Sequence, residues 1–124
     1  ERMIPKMTMK DFYEKIGGDY NDVAERFGGE TMVERFGKKF LGDPSFSQLD
    51  AAFATGRCDE AFRAAHTLKG VCRNLGYGDL GNVSADMTEL LRAGNFDDGK
   101  AMYDAVKAEY DKVVRLLKEC FECD

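Results

Sequence analysis

The sequence predicts an all-α protein, an antiparallel up-down four-helix bundle with short extra helices at its N-terminus. Apolar residues recur at spacings of three and four along most of the chain, which is the period of an amphipathic helix. No segment shows the convincing apolar–polar alternation of a half-buried strand. Short, glycine-marked connections separate the predicted helices, and such connections favour antiparallel neighbours in a bundle.

The length of 124 residues fits one domain. We therefore treat residues 1–124 as a single unit with three parts. Residues 1–7 are a leader that we expect to be poorly ordered. Residues 8–28 form an N-terminal helical addition, and residues 29–122 form the bundle.

The N-terminal addition contains capping signals for two helices. Thr8 can cap the first, with Asp11 at the third helical position, and the glycines at 17–18 end it. Asp19 can cap the second, which the glycines at 28–29 stop. The sequence therefore predicts two short helices before the bundle.

The first part of the bundle has a proline within its helical pattern. One apolar face precedes this point (Met32, Val33, Phe36, Phe40), and another follows it (Phe46, Leu49, Phe53). Between them, Asp43 is a predicted N-cap with Pro44 in the first helical position. The two pieces form either separate helices or one kinked rod, because proline disrupts a helix without always redirecting it.

Three further helices complete the predicted bundle. The strongest covers residues 58–75, with its core seam at Ala61, Ala65, Leu68, Cys72 and Leu75. After a break at residues 76–78, the next helix has its seam at Leu80, Val83, Met87 and Leu90 and ends at Gly94. Asn95 caps the last helix, whose seam is Met102, Val106, Tyr110, Val113, Leu117 and Cys120.

The only histidine of the chain, His66, lies beside the core seam of the strongest helix. Lys69 follows it by three residues and Gly70 by four, and Arg73 and Arg63 lie on or near the same face. Because helical side chains lean toward the N-terminus, Lys69 brings its ammonium group back toward the imidazole. A glycine inside a helix costs about 1 kcal/mol relative to alanine, and here it leaves the histidine accessible. The pattern indicates an exposed nucleophile with a cation beside it.

The residues around His66 also form a longer motif. It reads A-H-T-L-K-G over 65–70, then N-L-G over 74–76 and Leu80. This motif resembles the signature of histidine phosphotransfer domains. The flanking residues are similar as well (Phe40 to Asp43, Phe46, Leu49 and Ala61), and the resemblance spans about residues 16–117.

The resemblance implies a role for each matching residue. His66 is the phosphoryl acceptor, Lys69 stabilises charge, and Gly70 provides steric clearance for a partner. Arg73 and Arg63 are candidates for docking. Members of the family often present a Gln or Glu from the following helix to the second ring nitrogen. Residues 87–89 (Met87, Thr88 and Glu89) occupy that region here, and the sequence does not show which of them, if any, reaches the ring.

The resemblance also implies the chemistry and the partners. A neutral imidazole is a good nucleophile near neutral pH, and phosphoryl transfer needs mainly alignment and charge compensation. The sequence shows neither a carboxylate cluster for Mg²⁺ nor a phosphate-binding glycine loop. We therefore expect no cofactor of its own, with Mg²⁺ on the partner. Expected partners are response-regulator receiver domains or a hybrid sensor kinase, and the phosphocarrier is expected to be a cytoplasmic monomer.

Composition argues against several other classes. A net charge of −5, from 18 basic and 23 acidic residues, opposes binding to nucleic acid. No apolar run is long enough to span a membrane, and no signal peptide is visible, so no membrane contact is expected. Cys120 and Cys123 have zinc-like spacing, but Cys58 and Cys72 are poor candidates for the other two ligands because they lie about 21 Å apart on one helix.

The resemblance thus predicts a phosphorelay carrier, in which His66 accepts a phosphoryl group from a receiver-domain aspartate and passes it to another receiver. Three other functions compete with this prediction. An inactive helical interaction module remains open, although the retained His66 and Lys69 count against it. A di-iron bundle requires Glu-x-x-His pairs, and residue 63 is arginine. An autonomous kinase needs an ATP-binding unit, and none fits a chain this short and this helical.

Overall fold

The computed structural model describes residues 5–122, and within them the fold is all-α, as predicted. The helices are α1 Met9–Lys15, α2 Tyr20–Phe27, α3 Glu30–Phe40, α4 Ser45–Ala54, α5 Cys58–Leu75, α6 Gly78–Arg92, α7 Phe96–Ala101 and α8 Tyr103–Phe121. Helix α5 packs against α4 and against α6, and α6 in turn packs against α8. These four helices form the bundle, to which α1, α2 and α3 add an N-terminal layer that contacts α5 and α8.

The capping signals of the N-terminal addition act as the sequence predicts. The side chain of Thr8 accepts a hydrogen bond from the backbone N–H of Asp11 at 3.1 Å. The side chain of Asp19 accepts one from the N–H of Asp22 at 3.3 Å. Helix α2 ends at Gly28 with a positive φ of 81°, a conformation that glycine adopts without strain.

The proline of the segment predicted to begin the bundle separates two helices, of which only α4 belongs to the bundle. Helix α3 ends at Phe40 and α4 begins at Ser45, so residues 41–44 form a link instead of the interior of one kinked rod. Pro44 occupies the N-cap position that was predicted for Asp43. Asp43 still acts as a cap, because its carboxylate accepts a hydrogen bond from the N–H of Ser45 at 2.8 Å.

The last predicted helix is likewise interrupted. Asn95 precedes the short helix α7 and makes no capping hydrogen bond through its side chain, and Met102 separates α7 from α8. A Cβ atom added at Gly99 would lie 2.7 Å from a methyl carbon of Leu91. Helix α7 therefore approaches α6 closely at a glycine, and the chain turns again before it continues as α8.

The buried face of α6 differs from the predicted seam. Leu80 and Met87 are buried, but Val83 and Leu90 are only partly so. The buried face also includes Gly81, Ser84, Thr88 and Leu91. Since α6 packs against α5, α7 and α8, small and polar residues are enclosed as well. A pattern that counts only apolar residues does not find them.

The N-terminal addition is joined to the α5–α6 turn by close packing. Tyr77 in this turn is 1% exposed, and its ring makes edge-on contacts with Phe12 and Phe40. A Cβ atom at Gly78 would overlap the carbonyl oxygen of Gly17, so the two backbones can meet only at glycine. This junction fixes the end of α5 relative to α6.

A buried hydrogen bond adds to the junction. The hydroxyl of Tyr13 donates to the backbone oxygen of Leu75 at 2.7 Å. Burial raises the pKa of Tyr13, an effect that Arg26 partly opposes, so the hydroxyl keeps the proton that it donates. The bond connects α1 directly to the C-terminal end of α5.

Replacing Tyr13 by phenylalanine should destabilise this junction. The change leaves the carbonyl of Leu75 without the buried donor, and we expect the free energy of unfolding to fall by about 1–2 kcal/mol. Chemical denaturation would measure the loss. Tyr20→Phe is the matched control, because the Tyr20 hydroxyl makes no hydrogen bond within residues 5–122. Equal stability of the two variants would contradict the role assigned to the Tyr13 hydroxyl.

The two ends of the described chain lie side by side. The backbone N–H of Lys6 donates to the carbonyl oxygen of Glu122 at 3.2 Å, and the side chains form an ion pair. Of the leader predicted at residues 1–7, residues 1–4 lie outside the described part. Between residues 5 and 122, no helix has the length and apolar character needed to cross a bilayer.

Candidate functional site

The candidate site lies on the outward face of α5, near the middle of the helix. His66 is exposed, whereas Ala65 and Leu68, on the inward face, are fully buried. The predicted core seam of α5 is thus confirmed, and the histidine lies beside it. An imidazole in this place can meet a reactant from solvent without a change in the bundle.

The ring of His66 stacks on an aromatic neighbour one helical turn earlier. The ring centroids of Phe62 and His66 are 5.8 Å apart, and their planes differ by 20°. From α6, the guanidinium of Arg92 lies 4.9 Å from the centroid of the Phe62 ring, and its Nε donates to Glu89 at 3.3 Å. Sequence reasoning missed Phe62 and Arg92. The spacing of four between Phe62 and His66 was the available signal.

None of the three candidates for orienting the second ring nitrogen contacts His66 through a hydrogen bond. Met87 and Thr88 are fully buried, and the hydroxyl of Thr88 donates to the carbonyl of Ser84 at 2.6 Å. Glu89 is paired with Arg92. In the described part of the chain, His66 makes no hydrogen bond or ion pair at all.

Lys69 is partly buried and follows His66 by nearly one turn of α5. In the range 5–122, its ammonium group forms no ion pair and no hydrogen bond. A lysine beside the histidine whose charge is not compensated by a carboxylate is available to an incoming anion. Lys69 therefore contributes an unpaired positive charge beside His66, although the chain as a whole carries a net charge of −5.

Gly70 is exposed on the outer surface of α5. Apart from its chain neighbours and the adjacent backbone of α5, a Cβ atom added there would have no neighbour within 4 Å among the described atoms, and the backbone φ is not positive. Neither the packing nor the conformation of this chain requires glycine at this position. The open space over Gly70 lies one turn beyond His66, where a partner of the histidine would have to approach.

The two arginines lie on opposite sides of the histidine along α5. Arg63 lines a groove between α4 and α5 together with Gln48, Ala51, Glu60, Ala64 and Thr67. Arg73 lines a crevice where the α1–α2 loop meets the α5–α6 turn. They are ten residues apart, about 15 Å along the axis. Over the described chain neither forms an ion pair, so the structure flanks the site with two uncompensated charges instead of bringing them together.

The two buried cysteines, Cys72 and Cys120, offer no second nucleophile at this site. Burial, with a smaller contribution from Asp43, raises the pKa of Cys72 to about 12, and burial raises that of Cys120 to about 11. These thiols stay protonated near neutral pH and point into the protein. Cys123 lies outside the described residues. Elsewhere, no three side chains of the His, Cys, Asp or Glu type come together as metal ligands in the described structure.

Comparison with protein families identifies the class of protein that has this fold and site. The model of the Hpt domain matches residues 43–116, more than half of the chain, from the link before α4 into α8. The chain therefore belongs to the Hpt domain family, whose members are phosphotransfer domains of two-component signalling. Searches of the curated proteins and of the solved structures gave no significant match.

Proposed function

We propose that this protein is a phosphorelay carrier, which accepts a phosphoryl group on His66 from a receiver-domain aspartate and passes it to another receiver. The observation that supports this most is the surface around the histidine. His66 is exposed, the charge of Lys69 is uncompensated, and the space over Gly70 is open. All three lie within the segment that matches the Hpt domain.

The reaction requires little more than these groups. A ring nitrogen of His66 attacks the phosphorus of the aspartyl phosphate, a P–N bond forms, and the P–O bond to the aspartate breaks. The electron pair of that bond leaves on the carboxylate, and the ring nitrogen that was protonated releases its proton to solvent or keeps it. Lys69 offsets negative charge on the equatorial phosphoryl oxygens. In the return step, a carboxylate oxygen of an aspartate on the second receiver attacks the same phosphorus, a P–O bond forms, and the P–N bond breaks with its electron pair returning to the ring nitrogen of His66.

The partner is proposed to supply the rest of the chemistry. Mg²⁺ belongs to the receiver domain in this scheme, and the chain contributes a nucleophile and a docking surface without kinase activity of its own. In this scheme, Arg63 and Arg73 meet acidic groups on either side of the receiver's phosphorylation site, which their positions on either side of His66 along α5 support. Receiver domains or a hybrid sensor kinase as partners imply a cytoplasmic location, and a monomer is sufficient for the cycle.

The direct test is transfer from a phosphorylated receiver domain to the purified chain. The expected product carries a label that acid removes and alkali does not, which is typical of a phosphoramidate. Failure of several competent receivers to transfer label would contradict the carrier role. It would favour the alternative of a helical module that docks signalling partners without transferring phosphate.

Lys69→Ala should slow transfer without abolishing it. Loss of one partly screened positive charge near the transferring group should raise the barrier by about 1.4 kcal/mol, a tenfold decrease in the rate at saturating receiver. Quench-flow measurement of label on the chain would give this rate.

Two variants are controls for the Lys69→Ala experiment. Lys69→Arg keeps the charge and should retain most of the rate, and Lys118→Ala removes an exposed lysine from α8, away from the site. An unchanged rate in Lys69→Ala, or an equal fall in Lys118→Ala, would show that Lys69 does not act on the phosphoryl group.

A further inference from the structure

We propose that Phe62 is a positioning residue for the phosphoryl acceptor: its ring, contacted by Arg92 from α6, holds the imidazole of His66 in one orientation. This inference rests on the proposed function for its meaning, but the orientation itself is a property of the free protein. Neither the spacing of the charged residues around His66 nor the motif over residues 65–76 assigns a role to residue 62.

The rings of Phe62 and His66 form a stacked pair on one side of α5. Phe62 precedes His66 by four residues, so the two side chains lie on the same side of α5. Because side chains on a helix lean toward its N-terminus, the imidazole extends over the turn that carries Phe62. The rings meet at 5.8 Å between centroids with planes 20° apart, which is an offset, nearly parallel stack.

Within residues 5–122, no hydrogen bond fixes the imidazole of His66. The candidates on α6 are engaged elsewhere, Thr88 with the carbonyl of Ser84 and Glu89 with Arg92. Throughout residues 5–122, the ring contact with Phe62 is the directional interaction that His66 makes. An exposed imidazole without any such contact would rotate among several side-chain conformations and present either nitrogen to solvent.

Phe62 is itself contacted by Arg92 from the neighbouring helix α6. Its ring is partly buried against the core, and the guanidinium of Arg92 lies 4.9 Å from its centroid. Glu89, one turn earlier on α6, accepts a hydrogen bond from Arg92 at 3.3 Å and restrains it. The orientation of His66 is therefore set by α5 and α6 together, although no residue of α6 bonds to the ring.

We expect the stack to favour one ring nitrogen in the transfer reaction. In-line attack requires the reacting nitrogen to face the phosphorus at a defined angle. A stacked ring keeps one face against Phe62, which restricts the directions in which its two nitrogens can point. Loosening the stack should therefore reduce the rate of the chemical step and allow the other nitrogen to react.

The test uses Phe62→Leu, which keeps an apolar side chain but removes the stack, and Phe62→Tyr, which restores the aromatic ring. Phe27→Leu is the matched control, because Phe27 is likewise partly buried and has an arginine, Arg26, 5.2 Å from its ring centroid, but lies on α2. Each variant is made in the whole 124-residue chain and compared with the wild type by three measurements.

The free proteins are first compared by the NMR shifts of the His66 ring protons. They are then labelled with phosphoramidate, a small donor that gives its phosphoryl group to imidazole and releases ammonia, and ³¹P NMR identifies the nitrogen that reacts. Finally, transfer from a phosphorylated receiver is measured against receiver concentration. These readouts separate ring orientation, regiochemistry and docking.

In Phe62→Leu we expect shifted ring protons, a mixture of the two phosphohistidine isomers, and a maximal transfer rate lower by about threefold to tenfold. The half-saturating receiver concentration should not change. Phe62→Tyr should restore a single isomer and most of the rate, and Phe27→Leu should resemble the wild type.

Unchanged ring shifts and a single isomer in Phe62→Leu would overturn the proposal. A higher half-saturating concentration with an unchanged maximal rate would also overturn it, since Phe62 would then be a docking contact only. If no receiver labels the wild type, the proposed function fails separately, and the ring shifts and phosphoramidate isomers still decide whether Phe62 orients His66.

Discussion

The chain with His66 replaced by glutamine should accept no phosphoryl group from any receiver and should still fold. The chain contains one histidine, so the change removes the only imidazole, and an amide nitrogen is not a nucleophile at neutral pH. The loss of transfer should be complete, below the detection limit of a labelling assay. No other substitution is expected to have so large an effect on function with so small an effect on the fold.

The small structural effect follows from the surroundings of the histidine. His66 is exposed and makes no hydrogen bond in the part of the chain that the structure describes. Substitutions at such positions usually change stability by no more than about 0.5 kcal/mol. Thermal unfolding and circular dichroism should therefore match the wild type. Label that persists in the variant, with an unchanged fold, would place the acceptor on another residue.

Gly70→Leu should produce opposite changes in stability and in transfer. An exposed glycine inside a helix is less favourable than leucine by about 0.8 kcal/mol, so the variant should be more stable, with a melting temperature higher by about 3 °C. Beyond the adjacent backbone of α5, a Cβ at Gly70 meets no described atom within 4 Å, and a larger side chain can therefore extend outward without strain. The same side chain should block an approaching receiver and reduce transfer at least tenfold.

Two comparisons isolate the steric origin of the Gly70→Leu effect. Gly70→Ala should be stabilised at least as much, with a smaller fall in transfer, because only a methyl group is added. Phosphoramidate should label His66 in Gly70→Leu nearly as well as in the wild type, since this donor is small enough to pass the side chain. Transfer at the wild-type rate in Gly70→Leu would mean that the glycine has no role in clearance.

The sequence was most informative where apolar periodicity alone decides the structure. The bounds of α5 were predicted as residues 58–75, which the structure confirms, because every position of its seam is apolar and Gly76 ends it in the left-handed conformation. Helix α6 was less predictable. Ser84 and Thr88 are buried there although they are polar, and only the packing of several helices around α6 shows this.

The candidate site likewise contains residues that the sequence predicts and a contact that it does not. The positions of Lys69 and Gly70 relative to His66 follow from the geometry of one helix, so the sequence was sufficient to place them together. The contact between Phe62 and Arg92 joins two residues that are thirty positions apart in sequence, and it depends on how α5 and α6 face each other. Periodicity within a single helix carries no information on that arrangement.

The glycine-lined junction between the N-terminal addition and the α5–α6 turn has a consequence for choosing domain boundaries. The segment that matches the family begins at residue 43, after α1, α2 and α3. A fragment trimmed to that boundary would lose the aromatic partners of Tyr77 and the hydroxyl that donates to Leu75. The ring of Tyr77 would then be exposed to solvent at one end of the bundle. We therefore expect the minimal folding unit of this protein to be larger than the segment that matches its family.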